Sequence, residues 1–150
     1  MKYFIPVLLI AFTLSSCAKK KAEKQAEEDE AIIQQYITDN NLDALPTGSG
    51  LYYVIDNPGT GLSCTSNSTV RVAYSGYYTD GTIFDESDLT GIEFSLQGVI
   101  AGWTEGIPYF KEGGNGKLLI PSALAYGKNG NSTIPGNTVI IFDINLIDVL

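Results

Sequence analysis

The stretch 139–149 constrains this chain most. Val139-Ile140-Ile141-Phe142-Asp143-Ile144-Asn145-Leu146-Ile147-Asp148-Val149 is a long, isoleucine-rich apolar run, and β-branched side chains pack better on a pleated surface than on a helix. The run therefore reads as a central strand. Other segments after residue 50 carry the same period. Residues 51–55 form a short strand, and Val70-Arg71-Val72-Ala73-Tyr74 alternates. Asp80-Gly81 sits between 74–78 and 82–84, a strong hairpin signal. Phe94 and Leu96 alternate again. Gly113-Gly114-Asn115-Gly116 reads as a turn and 117–121 as a strand, while 101–110 is a short helix confined by Pro108. One helix among many mostly antiparallel strands gives an α+β class, and no internal repeat appears.

The N-terminal part reads differently. Lys2 supplies a minimal basic start, residues 3–14 are apolar but too short for a comfortable membrane span, and Leu14-Ser15-Ser16-Cys17 looks like a bacterial lipobox. Residues 1–16 are thus expected to be a lipoprotein signal peptide, with Cys17 as the acylated residue. The alternative is a plain secretory signal with a chance cysteine. Residues 17–30 are almost wholly Ala, Lys, Glu, Gln and Asp, the composition of a solvated tether, helical at times. The lysines Lys19, Lys20 and Lys21 next to the lipid suit anionic headgroups, or merely keep the tether soluble. Ile32, Ile33, Tyr36 and Ile37 recur at helical spacing, so 29–40 reads as a short amphipathic helix ended by Asn40-Asn41. Its stripe packs on the main domain or on another copy. Pro46-Thr47-Gly48-Ser49-Gly50 is a linker by composition, which puts helix and linker at 31–49 and the main domain at 50–150.

Composition closes several routes. With 17 acidic against 9 basic residues and a net charge of −8, the chain lacks the basic face that nucleic acid requires. It has no histidine, which removes Ser-His-Asp catalysis and histidine zinc sites. Cys17 and Cys64 are not a metal set, and Cys64 reads as a buried or half-buried spectator thiol. Asp85, Glu86 and Asp88 are close in sequence, but carboxylates on one turn are commonly solvated, whereas glycoside hydrolysis needs two groups opposed across a sugar. No phosphate loop, metal site or cofactor is expected.

Several short segments instead bring aromatic or apolar groups beside turns. They are Val70-Arg71-Val72-Ala73-Tyr74-Ser75-Gly76, Asp80-Gly81-Thr82-Ile83-Phe84-Asp85-Glu86-Ser87, Phe94-Ser95-Leu96, Val99-Ile100-Ala101-Gly102-Trp103-Thr104-Glu105-Gly106, Ala125-Tyr126-Gly127, Ile134-Pro135 and Phe142-Asp143. In this order and spacing, across about 51–150, the chain resembles the FKBP-type peptidyl-prolyl isomerases, the rapamycin-binding immunophilins. The resemblance implies a twisted antiparallel sheet wrapped around one short helix, with an apolar pocket between them. It places Trp103 at the pocket floor, and Tyr74, Phe84, Val99, Ile100, Tyr126 and Phe142 in its walls. Asp85 lies beside the pocket and Ile134 over its mouth. It assigns the Ile100 N–H and the Tyr126 hydroxyl to substrate carbonyls, and Asp85 to polarising the pocket edge. Tyr74, Phe84, Phe94 and Phe142, taken singly, suit a strand core equally well. Tyr126, in a loop, is the strongest single functional candidate.

The implied activity is rotation about Xaa-Pro bonds of exported proteins, in a site that needs neither nucleophile nor proton shuttle. The alternatives are a peptide-binding chaperone of the same fold with little turnover, and a structural lipoprotein with a vestigial pocket. The implied partners are proline-containing polypeptides, rapamycin-type macrolides and, through Cys17, a membrane. The expected place is the cell envelope, on the outer membrane facing the periplasm, since Ala18 rather than aspartate follows the cysteine. The chain departs from the family pattern in several places, among them a shorter segment between Leu96 and Val99 and a polar loop, Asn131-Ser132-Thr133, after Gly130. No arginine follows Asp85 within Glu86-Ser87-Asp88-Leu89-Thr90, so Asp85 needs another partner. Gly98 stands where an acidic residue is common, and Ile92 where the pocket wall is often aromatic.

Overall fold

The computed structural model describes residues 11–150. Lys2 and most of the apolar run assigned to a signal peptide lie outside the described residues. The elements are α1 (Ala11–Asp39), β1 (Leu45–Pro46), β2 (Tyr52–Asn57), β3 (Thr69–Tyr77), β4 (Ile83–Glu86), β5 (Ile92–Ser95), α2 (Ala101–Gly106), β6 (Asn115–Ile120) and β7 (Ile140–Val149). Two short 3-10 turns, Ile107–Tyr109 and Ser122–Leu124, follow α2 and β6. The expected helix at 101–110 is thus α2 plus a turn that contains Pro108. Asn115-Gly116, expected in a turn, begins β6 instead.

The seven strands form one antiparallel sheet in the order β1-β2-β6-β7-β3-β4, with β5 also on β3. β3 is long enough to take two partners along one edge. Thr69 to Val72 pair with β5, and Ser75 to Tyr77 pair with β4. The isoleucine-rich run is central, as its composition predicts, with β3 on one side and β6 on the other. Its alternation sorts the two faces. Ile140, Phe142, Ile144 and Leu146 enter the main core, while Ile141 enters a second cluster on the opposite face.

α2 lies close on the main-core face because of two glycines one turn apart. A Cβ at Gly102 would meet Ile120 at 2.5 Å, and one at Gly106 would meet Leu118 at 2.6 Å. Any side chain there would lift the helix off β6 and carry Trp103 with it.

The opposite face is covered by α1, which corrects the tether reading. Residues 17–30 belong to the same continuous helix as the amphipathic stripe, and the boundary drawn at 30/31 falls inside it. The composition read as a solvated tether, helical at times, is that of a strong helix former. It adds Lys19–Glu23 and Lys24–Glu28 pairs one turn apart. The first turns after Cys17 are solvated, but Asp29 is only 1% exposed. The stripe packs within the chain, with Ile33, Tyr36 and Ile37 on Val54, Leu119, Val139 and Ile141. Tyr77 is drawn under the same cover and donates to Asp143, and its burial pushes its phenol well above the ordinary tyrosine value. α1 ends where expected. Asn41 takes φ 49°, its N–H meets Thr38 O and the Leu42 N–H meets Ile37 O, a Schellman closure. Among the described residues no helix is long and apolar enough to cross a membrane.

The expected linker at 46–50 is a hairpin. Leu45 and Pro46 pair with Tyr53 and Tyr52, and Thr47 N–H donates to Leu51 O across the turn. Gly48 and Gly50 adopt φ +102° and +95°. The Pro-Thr-Gly-Ser-Gly composition reflects the backbone angles of a tight turn rather than freedom of the chain.

Candidate active site

The main core is capped at one end by a box of aromatic rings. Trp103 is its floor and meets three rings edge to face: Tyr74 at 5.1 Å, Phe94 at 5.2 Å and Phe142 at 5.2 Å. Phe84 stands edge-on to Phe142 at 5.6 Å, and Tyr78 tilts on Phe84 at 5.2 Å. Each such pair contributes about 0.5–1.5 kcal/mol beyond simple burial, and together they fix ring orientations that apolar contact alone leaves free. The rings come from β3, β4, β5, α2 and β7. Sheet register brings them together, for Gly76 on β3 lies opposite both Asp85 of β4 and Phe142 of β7. A Cβ at Gly76 would lie 2.5 Å from Phe142 and 2.8 Å from Phe84, so the missing side chain is the space those rings occupy.

Polar groups sit around the apolar box. Tyr74 Oη donates to Asp85 Oδ2 at 2.9 Å. This phenol replaces the cationic partner that the stretch after Asp85 lacks. Burial, with the neighbouring carboxylate, pushes Tyr74 up to about 12. Burial and the nearby charge of Asp85 also raise Tyr126 above the ordinary tyrosine value. Both phenols are therefore neutral donors at physiological pH. The Tyr126 hydroxyl and the Ile100 N–H donate to no acceptor among the described residues. Ile100 is the N-terminal flanking residue of α2, in extended backbone at φ −59°, ψ 148°. Trp103 Nε1 is the one buried side-chain nitrogen or oxygen among the described residues without a partner.

The sequence-derived residues fall into place unevenly. Tyr74, Phe84, Trp103 and Phe142 form the box, and Val99, Ile100 and Tyr126 pack against the same cluster. Ile134 is 2% exposed and belongs to the main core cluster, and the Asn131 carboxamide oxygen accepts the Thr133 and Ile134 N–H groups of its loop. Ile92 stays on the surface of β5. Two contributors were missed. Phe94 touches both Tyr74 and Trp103, and its position on the same face of β5 as Ile92 was the available signal. Tyr78 holds Thr133 O through its hydroxyl at 3.1 Å, which ties the β3–β4 turn to the loop before Ile134. No local pattern marks that contact.

Other candidate chemistry disperses. Asp88 accepts Thr90 Oγ1–H and two backbone N–H groups of its own turn, which lowers its pKa and ties the carboxylate into that turn. Among the described residues there is no cluster able to hold a metal ion. Cys64 is buried in the main core, and burial pushes its thiol up, as a spectator requires. Cys17 is exposed on α1.

An apolar box with two free hydrogen-bond donors at its edge and no nucleophile can hold a cyclic apolar group and two carbonyls. Comparison with known proteins agrees in kind. Residues 62–147 match the family described as FKBP-type peptidyl-prolyl cis-trans isomerase. FkpA of Escherichia coli (strain K12), named as such an isomerase, is 40% identical over 140 residues, covering 91% of this chain and 52% of that protein. The Aeromonas hydrophila FkpA is 38% identical with the same coverage. The chain thus spans about half the length of the curated relatives it matches. Among solved structures, FkpA from Escherichia coli superposes with a TM-score of 0.74 at 36% identity, over 99% of this chain and 75% of that one. A peptidyl-prolyl cis-trans isomerase from Pseudomonas syringae pv. tomato gives 0.75 at 31% identity, over 85% and 94%. The aromatic box, the sheet around α2 and these matches agree: this chain belongs to the FKBP-type peptidyl-prolyl cis-trans isomerase family.

Proposed function

We propose that the chain accelerates cis/trans rotation of Xaa-Pro bonds in polypeptides, with the aromatic box over Trp103 as the proline site. The single observation that carries this reading is the coincidence of that box with the two unmatched donors, Ile100 N–H and Tyr126 Oη–H. Rotation about a peptide bond faces a barrier of about 18–20 kcal/mol set by amide resonance. Left in water, X-Pro exchange takes on the order of tens of seconds or longer. Resonance places negative charge on the carbonyl oxygen, and water stabilises that charge. A proline ring seated between Tyr74, Phe84, Phe142 and Trp103 leaves water, so the planar amide loses that support. The donors then hold the carbonyls of flanking residues and the peptide in a bent conformation. Interactions stronger with the twisted amide than with either planar form lower the barrier. Asp85, fixed by Tyr74, polarises the edge of the box, while Val99 and Ile134 complete its apolar lining. No covalent bond forms, and no proton moves.

The same reading extends outward. Cys17 is the acylated residue of a lipoprotein whose signal peptide is 1–16. α1 then joins the anchor to the isomerase domain on the periplasmic side of the outer membrane. The Leu14-Ser15-Ser16-Cys17 motif and the exposure of Cys17 support this. The clients are exported proteins, and rapamycin-type macrolides compete for the box.

The test is NMR exchange spectroscopy on a short Leu-Pro peptide with the chain from residue 17 onward. A fragment without α1 is unsuitable, because it would bare Val54, Leu119 and Ile141. Faster exchange, abolished by rapamycin and cut about tenfold by Tyr126→Phe, is the expected result. Peptide shift changes without faster exchange would make the chain a binding module instead.

A further inference from the structure

We infer that Asp29, in α1, is a positioning residue for the loop that presents Tyr126. The inference rests on the proposed isomerase reading. Asp29 is 1% exposed and lies 93 residues from its main partner. Its Oδ2 accepts the Ser122 backbone N–H at 2.7 Å and the Ser122 hydroxyl at 2.6 Å. Its Oδ1 accepts Gln25 Nε2 at 2.8 Å, which orients the carboxylate from within α1. Ser122 is itself 2% exposed and opens the 3-10 turn Ser122–Leu124. The residue before it is Pro121, which has no side-chain acceptor, so this turn has no local cap. Asp29 supplies the cap from another element.

The other side of Ser122 faces the site. Its carbonyl accepts the N–H groups of Ala125 at 3.1 Å and Gly127 at 2.8 Å, the two neighbours of Tyr126. A short relay therefore runs from helix α1 through one serine to the residues on both sides of the Tyr126 phenol. α1 does not need Asp29 in order to dock, since Ile33 one turn later is fully buried on the sheet. Apolar contact tolerates sliding. A carboxylate oxygen between two donors tolerates very little, because leaving either donor unpaired in a buried site is unfavourable. This acceptor oxygen thus sets where Ser122 lies, and with it the placement of the Tyr126 hydroxyl.

The experiment compares Asp29→Ala, Asp29→Asn and Ser122→Ala in the chain from residue 17 onward, by amide hydrogen exchange and by Leu-Pro isomerisation. Asp29→Ala is expected to speed exchange at Gly127 by about tenfold or more, while the amides of β6 and β7 keep their protection. It should lower kcat/KM by about fivefold, mainly through kcat. Asp29→Asn restores most of the loss, since its carbonyl oxygen accepts both Ser122 donors. Ser122→Ala, which deletes one donor only, gives a smaller change of the same kind and serves if Asp29→Ala fails to fold. In a Tyr126→Phe background Asp29→Ala should cost less than about twofold, because its effect runs through that hydroxyl. Unchanged Gly127 exchange in a folded Asp29→Ala chain overturns the inference. So does an equal activity loss in both backgrounds, the mark of a purely structural role. If the parent chain shows no isomerase activity, the functional reading fails, and the exchange measurement still decides the relay.

Discussion

At the scale of single residues, the site depends on neutral phenols. Tyr126→Phe removes the hydroxyl and leaves the ring, so kcat/KM for a Leu-Pro peptide should fall about tenfold, which is about 1.4 kcal/mol of barrier, with little change in thermal unfolding. Tyr74→Phe takes away the hydrogen-bond partner of Asp85, an exposed carboxylate that water can then satisfy. Its effect should appear in rate more than in stability, with a loss of about 0.5–1 kcal/mol in urea unfolding. The pH dependence has a definite sign. Tyr74 is raised to about 12 in the folded chain from an ordinary 10, and Tyr126 and Tyr52 are raised in the same direction. A raised folded value means that the stabilisation is complete below the unfolded value and is lost as pH rises through the folded one. Urea midpoints should therefore be flat up to about pH 10 and fall between about pH 10 and 12, with Tyr74→Phe flattening the fall. A midpoint that rises in that window would contradict the Tyr74–Asp85 geometry.

At the scale of elements, two contacts decide whether the box exists. α2 is held against β6 by the absence of side chains at Gly102 and Gly106. Gly106→Ala would drive a methyl into Leu118, and a cost of about 1–3 kcal/mol is expected even though alanine is the better helix former. The change should also quench peptide binding, since Trp103 moves with α2. Titration of tryptophan fluorescence with peptide reads both effects in one sample. α1 acts on the other face. Ile33 is fully buried between α1 and the sheet, and Ile33→Ala should cost about 2–5 kcal/mol in chemical unfolding. If α1 were only a tether, that substitution would be silent.

At the scale of the whole molecule, the chain holds one sheet between two helices of different purpose. α2 carries the floor of the site, and α1 shields the opposite apolar face and reaches around to Ser122. The chain contains no histidine, and the phenols of the site are raised rather than lowered. A reaction without proton transfer should then show kcat/KM constant within about twofold from pH 6 to 9. A bell-shaped profile across that range would mean a titrating group takes part and would overturn the rotation-only reading. The isomerisation rate measured across pH with a proline tetrapeptide checks this directly.

What the sequence determined alone was everything governed by short range. The isoleucine-rich run at 139–149 became the central strand because period and β-branching act within a few residues. Asn41 ended α1, and Asp80-Gly81 closed a hairpin, because left-handed backbone is a local demand. The family motifs pointed to Tyr74, Phe84, Trp103 and Phe142, four rings of the box. Tertiary structure decided what joins distant parts. The same Ala, Lys and Glu composition suits a loose tether or a helix, and it continues here the helix that Ile33, Tyr36 and Ile37 dock on Val54, Leu119 and Ile141. Pro46 to Gly50 read as a linker until Leu45 paired with Tyr53 across it. Ile134 joined the main core cluster, and the Asn131 carboxamide accepts its N–H. Asp29 looked like one more solvated carboxylate, since nothing within its own turn reveals a partner 93 residues away. Periodicity and turn chemistry are written along the chain, whereas the partner of a buried charge is settled only when packing brings two distant segments into contact.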